Sequence, residues 1–181
     1  MLLIVFTHDL LFLRLLMEES RQQTVDCQNQ YVRREGHAGI CSPDLPWVAM
    51  PVKGRLGRLR DRLQAADKIF RNQGQDAYEP FARDIYGLLR EAWEQAVSEV
   101  LLNGVVERYR PSIETKRAEK LFDITEQDTK AVDAAMTEVS RWIRGHDQAA
   151  AEAAPVPGPD EIKKRIQELD DWVQAIHKRR K

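Results

Sequence analysis

The feature that most constrains this chain is a short apolar run, Leu2–Phe6, which ends at the polar triplet Thr7-His8-Asp9. A continuous apolar run of this length is typical of a strand buried on both faces, as in a parallel sheet. The residues after it, Leu10–Gln22, have the spacing of an amphipathic helix. One strand and one helix cannot bury each other's apolar faces, so we expect partner strands from elsewhere.

The same run could be mistaken for a signal peptide or a membrane anchor. His8, Asp9 and Arg14 interrupt the apolar residues, and the uninterrupted stretch is too short to span a bilayer. No basic segment precedes it and no small-residue cleavage site follows it. We therefore expect no membrane partner.

Two more strands are predicted in the first part of the chain. Val25–Arg34 and Ala38–Ser42 carry the apolar residues of strands, and Gly36–Gly39 predicts a turn between them. Residues 1–45 are therefore predicted to be the C-terminal edge of an α/β domain, in the order strand, helix, strand, turn, strand. The composition changes at Pro43, and only helices are predicted beyond it.

Residues 46–148 are predicted to form a helical subdomain. The spacing of apolar residues predicts a helix over Val52–Asn72 that ends at Gly74, because glycine commonly terminates helices. A second, longer helix is predicted over Ala77–Tyr109, with Pro111 as its stop.

The remaining helices are marked by their ends. Thr125 and Asp128 have the spacing of a capping box, so a helix is predicted to begin there and to continue to Ile143. Residues 149–159 hold three prolines and predict a linker, and residues 160–181 predict a terminal helix. That helix has a heptad-like row suited to pairing with another helix, formed by Ile162, Ile166, Leu169, Val173 and Ile176. The predicted fold class is thus an α/β tail followed by a mostly α region.

Charge and cysteine content exclude several classes of protein. The 28 basic and 29 acidic residues give a formal net charge of -1, so no global field attracts nucleic acid or an anionic membrane. The two cysteines, Cys27 and Cys41, form neither a disulfide framework nor a CxxC zinc motif. This usage favours a reducing cytoplasm.

The position of His8 in the sequence makes it the main candidate site residue. Open α/β sheets bind their ligands just past the carboxyl ends of their strands, where the predicted strand places His8. An imidazole can donate a hydrogen bond to a phosphate oxygen while its other nitrogen is held by a neighbour. The alternative is a histidine that satisfies only local backbone groups. Asp9 is favoured as the cap of the helix that follows.

The stretch Leu3–Leu13 resembles the switch region of ABC and SMC-like ATPases, in which a hydrophobic strand ends in Thr/Ser-His-Asp before a helix. The resemblance implies that His8 senses the γ-phosphate of ATP, with Thr7 and Asp9 beside it. Nearly the whole chain resembles the C-terminal region of bacterial AAA-type ATPases with SMC-like architecture, a group related to the PrrC/RloC anticodon nucleases and other phage-defence ATPases. The other segments that carry this resemblance are Tyr31–Arg34, Leu45–Met50, Ile85–Glu94 and Arg141–Asp147.

The chain departs from that family in what it lacks. None of its nine glycines lies in a GxxxxGK[ST] P-loop, and Gly54–Gly57 is the nearest cluster. The glycine-rich signature and the acidic pair that holds Mg²⁺ are also missing. The resemblance therefore implies a C-terminal fragment that cannot hydrolyse ATP alone, a truncated or split product whose partner is a P-loop-bearing chain or N-terminal half.

In the complete ATPase, the resemblance implies ATP and Mg²⁺ as cofactors, and tRNA or DNA reached through the parent complex. A helical protein- or nucleic-acid-interaction module without nucleotide chemistry is the alternative. A remnant with no selected activity is a third hypothesis.

Other candidate residues have a structural interpretation beside the functional one. His146-Asp147 could contact phosphate, but a helix C-terminal cap with Gly145 is favoured. Arg33-Arg34 could meet tRNA or DNA in a complete complex. Trp93 and Trp142 are interpreted as packing anchors. A solvated helix face is favoured over a phosphate-binding surface for the basic cluster Lys53, Arg55, Arg58, Arg60 and Arg62.

Overall fold

The computed structural model describes residues 3–107, 113–143 and 155–181. These residues are mostly helical, with one small antiparallel sheet, as the sequence predicted for most of the chain. They divide into two compact units. We call residues 3–50 the first unit and the described residues from Pro51 onward the second unit.

The described residues of the first unit form one α-helix, one hairpin and a short 3-10 helix, Trp47–Ala49. Helix α1 spans Leu10–Gln22, which confirms the predicted helix to the residue. Strands β1, Tyr31–Glu35, and β2, His37–Ser42, pair antiparallel and so confirm the predicted hairpin. The turn between them is at Gly36, whose φ of 74° is readily available only to glycine.

The strand predicted over Leu2–Phe6 is not confirmed, because none of the described residues 3–6 is in a strand. Residues 3–9 have no regular secondary structure, and Leu3 and Phe6 are 74% and 91% exposed. A parallel strand is held by backbone hydrogen bonds to a neighbouring strand, and in the described residues β1 and β2 pair only with each other. The first half of the strand predicted over Val25–Arg34 is likewise without regular structure, because β1 begins at Tyr31.

A helical hairpin forms the base of the second unit. Helix α2, Val52–Gln73, and helix α3, Gln75–Ala96, share Gly74 as their connection, with a φ of 85°. This confirms the predicted helix and its glycine stop. The two helices pack against each other, and the apolar face of α2 that lies in the core consists of Val52, Leu56, Leu59, Leu63 and Ala66.

The second predicted helix, Ala77–Tyr109, is too long. Helix α3 passes into a π-helical turn, Val97–Leu101, and the chain then reverses at Asn103 and Gly104, with φ values of 51° and 66°. A side chain at Gly104 would begin 2.7 Å from the Arg117 guanidinium. The Asn-Gly pair was the stop signal that the apolar periodicity concealed. The predicted stop at Pro111 lies outside the described residues.

The rest of the second unit is a 3-10 helix, Thr115–Asp123, and two α-helices. Helix α4 spans Glu126–Ser140 and begins with the predicted capping box, which the structure confirms. Helix α5 spans Pro159–Arg179 and packs on α2, α3 and α4. Its heptad-like row is therefore buried in the core of this chain. Of the predicted linker, residues 149–154 lie outside the described residues, and residues 155–158 have no regular structure.

Candidate functional site

The triplet predicted as the site, Thr7–Asp9, lies at the start of α1. An Asp9 carboxylate oxygen accepts hydrogen bonds from the backbone N–H groups of Leu11 and Phe12, at 2.9 and 3.2 Å. Asp9 is thus the N-cap of α1, as the sequence predicted. The Thr7 hydroxyl in turn accepts from the Asp9 N–H at 3.0 Å. These bonds fix the backbone on both sides of His8.

His8 itself is exposed, and no described residue hydrogen-bonds to its imidazole. The alternative interpretation needs a hydrogen bond from His8 to a local backbone group, and the described residues form none. Both ring nitrogens are available to a partner outside the described residues. Chemically, the triplet offers one imidazole donor next to a helix N-terminus.

The surroundings of the triplet are apolar and uncovered. Among the described side chains of the first unit, only Met50 is buried. Ten of the 14 large apolar residues exposed in the described chain belong to this unit. They are Leu3, Ile4, Val5, Phe6, Phe12, Leu15, Val25, Tyr31, Val32 and Val48. The described residues of this unit therefore form no core of their own.

Helix α1 has the composition of an interior helix. Seven of the eight residues from Leu10 to Met17 are apolar, so apolar side chains project all round its first two turns. A helix of this kind is normally buried on every side. Here Phe12 and Leu15 are 44% and 46% exposed, and none of its described side chains is buried.

The other two polar side chains of the triplet already accept hydrogen bonds from the chain itself. The Asp9 carboxylate is engaged in capping α1, and the Thr7 hydroxyl is engaged by the Asp9 N–H. Among the described residues no group of three His, Cys, Asp or Glu side chains could hold a metal ion. His8 is therefore the side chain of the triplet for which no described residue is a hydrogen-bond partner.

The basic cluster on α2 is only partly the solvated face that we expected. Arg55 is buried, and its guanidinium donates to the Glu91 backbone oxygen at 2.8 Å. Arg60 pairs with Asp170 on α5, and Arg62 pairs with Asp84 on α3. Three of the five cations thus join α2 to its neighbours, which leaves little of the cluster for phosphate.

The two tryptophans named from the sequence pack as anchors. Trp93 is almost fully buried, with its ring centroid 5.2 Å from that of Trp172 on α5. Trp142 lies beyond the end of α4, with its ring centroid 6.0 Å from that of Tyr86. This confirms the packing interpretation of both.

The remaining candidates add no site. Arg33 is half-buried and Arg34 is exposed, both on β1. Cys27 and Cys41 are free and exposed. His146, Asp147 and the cap residue Gly145 lie outside the described residues.

A feature that the sequence analysis missed is the role of two C-terminal arginines. Arg180 holds Asp123 at the end of the 3-10 helix, and Arg179 donates to the buried Asp128 carboxylate at 2.7 Å. From the sequence alone, the basic run Lys178–Lys181 is explained by the dipole of a helix C-terminus. The pattern of acidic and basic residues along the sequence does not predict ion pairs between residues that are 51 and 57 positions apart.

These contacts change the pKa of the two carboxyl groups. The hydrogen bond from Arg180 lowers the pKa of Asp123 below its ordinary value. Burial is the largest effect on the pKa of Asp128 and raises it, but hydrogen bonds from Arg179 and Thr125 together bring that pKa below its ordinary value. Both carboxylates are therefore stabilised in their charged form.

No protein-family model, curated protein or solved structure matches this chain. Within the described residues, no helix is both long enough and apolar enough to cross a membrane.

Proposed function

We propose that this chain supplies the switch region, Thr7–Asp9, of an ABC/SMC-like ATPase whose P-loop lies in another chain or an upstream segment. The observation that carries the proposal is the uncovered apolar start of the first unit. Leu3–Phe6 is exposed apolar chain, and no strand of the described residues pairs with it. The helix after it has apolar residues all round its first two turns. Both features suit an element that is completed by a sheet from elsewhere.

In this proposal Leu3–Phe6 becomes the edge strand of a P-loop ATPase sheet once a neighbouring strand is present. Asp9 continues to cap α1. His8 then lies just past the carboxyl end of the strand, where open α/β sheets bind ligands, and its N–H contacts the γ-phosphate of ATP. The partner's P-loop, signature and acidic pair hold ATP and Mg²⁺, which supply the phosphoryl chemistry.

The proposal also covers the partners of the chain and its localisation. The first partner is the P-loop-bearing chain or N-terminal half. The tRNA or DNA of a phage-defence ATPase would be reached only through the parent complex. A reducing cytoplasm fits two free, exposed cysteines.

The first experiment measures nucleotide binding by the purified 181-residue chain, using a fluorescent ATP analogue with Mg²⁺. We expect no saturable change in fluorescence, because the groups that hold the phosphates belong to the partner. Tight binding by the chain alone would contradict the proposal.

The second experiment tests the partner. The reading frame directly upstream is inspected for a P-loop, signature and Walker B motif, and is co-expressed with this chain. We expect the two products to copurify and to hydrolyse ATP, and we expect His8→Ala to reduce kcat by about 10²-fold or more. Asn72→Ala, at an exposed position near the end of α2, is the matched control and should keep full activity. Equal activity of His8→Ala and wild type would remove the switch assignment.

One observation favours the alternative, a helical interaction module without nucleotide chemistry. The second unit has a complete core built from its own helices, including Leu59, Tyr78, Leu89 and Ile162, all at most 1% exposed. Such a unit can present a surface without the first unit. Arg55, Arg60 and Arg62 are engaged within the chain, which favours a protein partner over nucleic acid. Binding to tRNA or duplex DNA that weakens steeply with salt would reverse that preference.

A further inference from the structure

The reversal of the chain after the π-helical turn is made by the pair Asn103-Gly104. The chain has three asparagines, and because glutamines follow Asn29 and Asn72, only Asn103 precedes a glycine. Glycine has no Cβ that shields its backbone nitrogen. Such a nitrogen can attack the side-chain amide carbon of the preceding asparagine, which is the first step of deamidation. The sequence therefore makes Asn103 the asparagine at which deamidation meets the least steric hindrance.

In the folded chain, hydrogen bonds hold both reacting groups. The attacking group is the Gly104 backbone nitrogen, which is buried and donates to the Ser98 oxygen at 2.9 Å. The leaving group is the Asn103 side-chain nitrogen, which donates to the Arg117 backbone oxygen at 3.0 Å. The Asn103 backbone N–H donates to the Val100 oxygen at 3.1 Å. The Gly104 nitrogen cannot reach the side-chain carbon of Asn103 until the bonds to both reacting groups are broken.

The same turn is also closed from its two sides. On one side the Ser98 hydroxyl donates to the Val106 backbone oxygen at 2.6 Å. On the other side the Arg117 guanidinium lies so close that a Cβ at Gly104 would be 2.7 Å from it. The backbone therefore has little room to rotate within the closed turn, and the reaction requires local opening of the chain.

We propose that Asn103 is a deamidation site that reacts only when this turn opens. In the open turn, the Gly104 nitrogen loses its proton to water and bonds to Cγ of Asn103. The Cγ–Nδ2 bond breaks, and Nδ2 takes up a proton and leaves as ammonia. Water then adds to either carbonyl of the succinimide ring, which gives aspartate or isoaspartate at position 103. The net reaction exchanges ammonia for water and needs no oxidant or reductant.

Neither product can restore the original turn. An aspartate at this position lacks the N–H that bonds to the Arg117 oxygen. An isoaspartate adds a methylene group to the backbone, which moves the Gly104 N–H away from the Ser98 oxygen. Deamidation therefore marks, irreversibly, the chains whose turn has opened. This site is separate from the switch region and does not depend on the function proposed for His8.

The test incubates the full chain in mildly alkaline buffer, with and without urea, and follows each asparagine by mass spectrometry of peptides. In urea we expect Asn103 to deamidate faster than Asn29 and Asn72, because only Asn103 precedes glycine. Without urea we expect its rate to fall at least about tenfold, since the closed turn must first open. Equal rates of Asn103 with and without urea, or a rate in urea no faster than those of the other two, would overturn the proposal.

A mild variant tests the turn itself. Ser98→Ala removes the hydroxyl that bonds to Val106, and we expect deamidation of Asn103 in the folded chain to become about fivefold faster. Thr129→Ala is the matched control, because it removes a similar bond, from the Thr129 hydroxyl to the Glu126 oxygen within α4. Circular dichroism checks that both variants are folded. If both variants deamidate at the same rate, the turn does not control the reaction and the proposal fails.

Discussion

Arg180 and Asp123 form a two-pronged ion pair, in which Nε donates to Oδ2 at 2.9 Å and Nη2 donates to Oδ1 at 2.8 Å. Both side chains are largely buried, at 10% and 14% exposure. The same guanidinium also donates to the backbone oxygens of Val100, Leu101 and Lys120. One side chain thus joins the end of α5 to the π-helical turn and the 3-10 helix.

Replacing Arg180 should therefore be among the more damaging single changes. Arg180→Ala leaves a largely buried carboxylate without its partner, and we expect the free energy of unfolding to fall by about 3 kcal/mol. Arg180→Lys should lose less, because lysine keeps the charge but not the planar fork. Urea unfolding followed by circular dichroism measures both. Lys181→Ala, at an exposed position, is the control, and similar stability of Arg180→Ala and Lys181→Ala would contradict the prediction.

The stability of the chain should fall at acid pH through Asp123 and Asp128. Their pKa values are lowered in the folded state, so the unfolded chain binds protons at a higher pH than the folded chain does. The stabilisation is present above the unfolded-state pKa of about 3.9 and is lost as pH falls through the folded-state pKa. Asp128→Asn should flatten this part of the pH profile of unfolding free energy. The control Asp61→Asn, at an exposed position, should leave the profile unchanged. A profile unchanged by Asp128→Asn would refute this assignment.

Two buried tyrosines should respond differently to loss of the hydroxyl. The Tyr78 hydroxyl donates to the Pro157 oxygen at 3.1 Å, whereas the buried Tyr86 hydroxyl has no hydrogen-bond partner among the described residues. Tyr78→Phe should lower the free energy of unfolding by about 1 kcal/mol. Tyr86→Phe should leave it unchanged or raise it by about 1 kcal/mol, because an unsatisfied polar group is removed. Each variant is the other's control in urea unfolding, and equal destabilisation by both would be inconsistent with the described contacts.

The elements that the sequence predicted are those fixed by local chemistry. The Thr125–Asp128 capping box and the Gly74 stop lie within a few residues of the helix ends that they specify, so a short window contains the whole signal. Residues 3–6 of the predicted strand Leu2–Phe6 are not in a strand, because a strand depends on a neighbouring strand that a short stretch of sequence does not reveal. Arg180 was missed for the same reason, since its partners are 57 to 80 residues away.

In the candidate site, too, the local feature was predicted and confirmed, and the feature that depends on distant groups was not confirmed. The capping role of Asp9 is local and was predicted correctly from Asp at a helix start. The γ-phosphate contact of His8 depends on groups outside the chain and stays a prediction. The π-helical turn Val97–Leu101 could not be predicted, because apolar periodicity does not distinguish such a turn from continued α-helix.

The second unit should fold without the first. Its core residues all come from the second unit, and the first backbone N–H of α2 is capped by Glu99 from within that unit. A chain of residues 51–181 should therefore unfold cooperatively in urea, with a free energy of unfolding within about 1 kcal/mol of the full chain. Deletion of α5, residues 159–181, is the contrasting variant. It removes Ile162, Leu169 and Ile176 from the core and should abolish the cooperative transition. A non-cooperative transition in residues 51–181 would mean that the first unit contributes to the core after all.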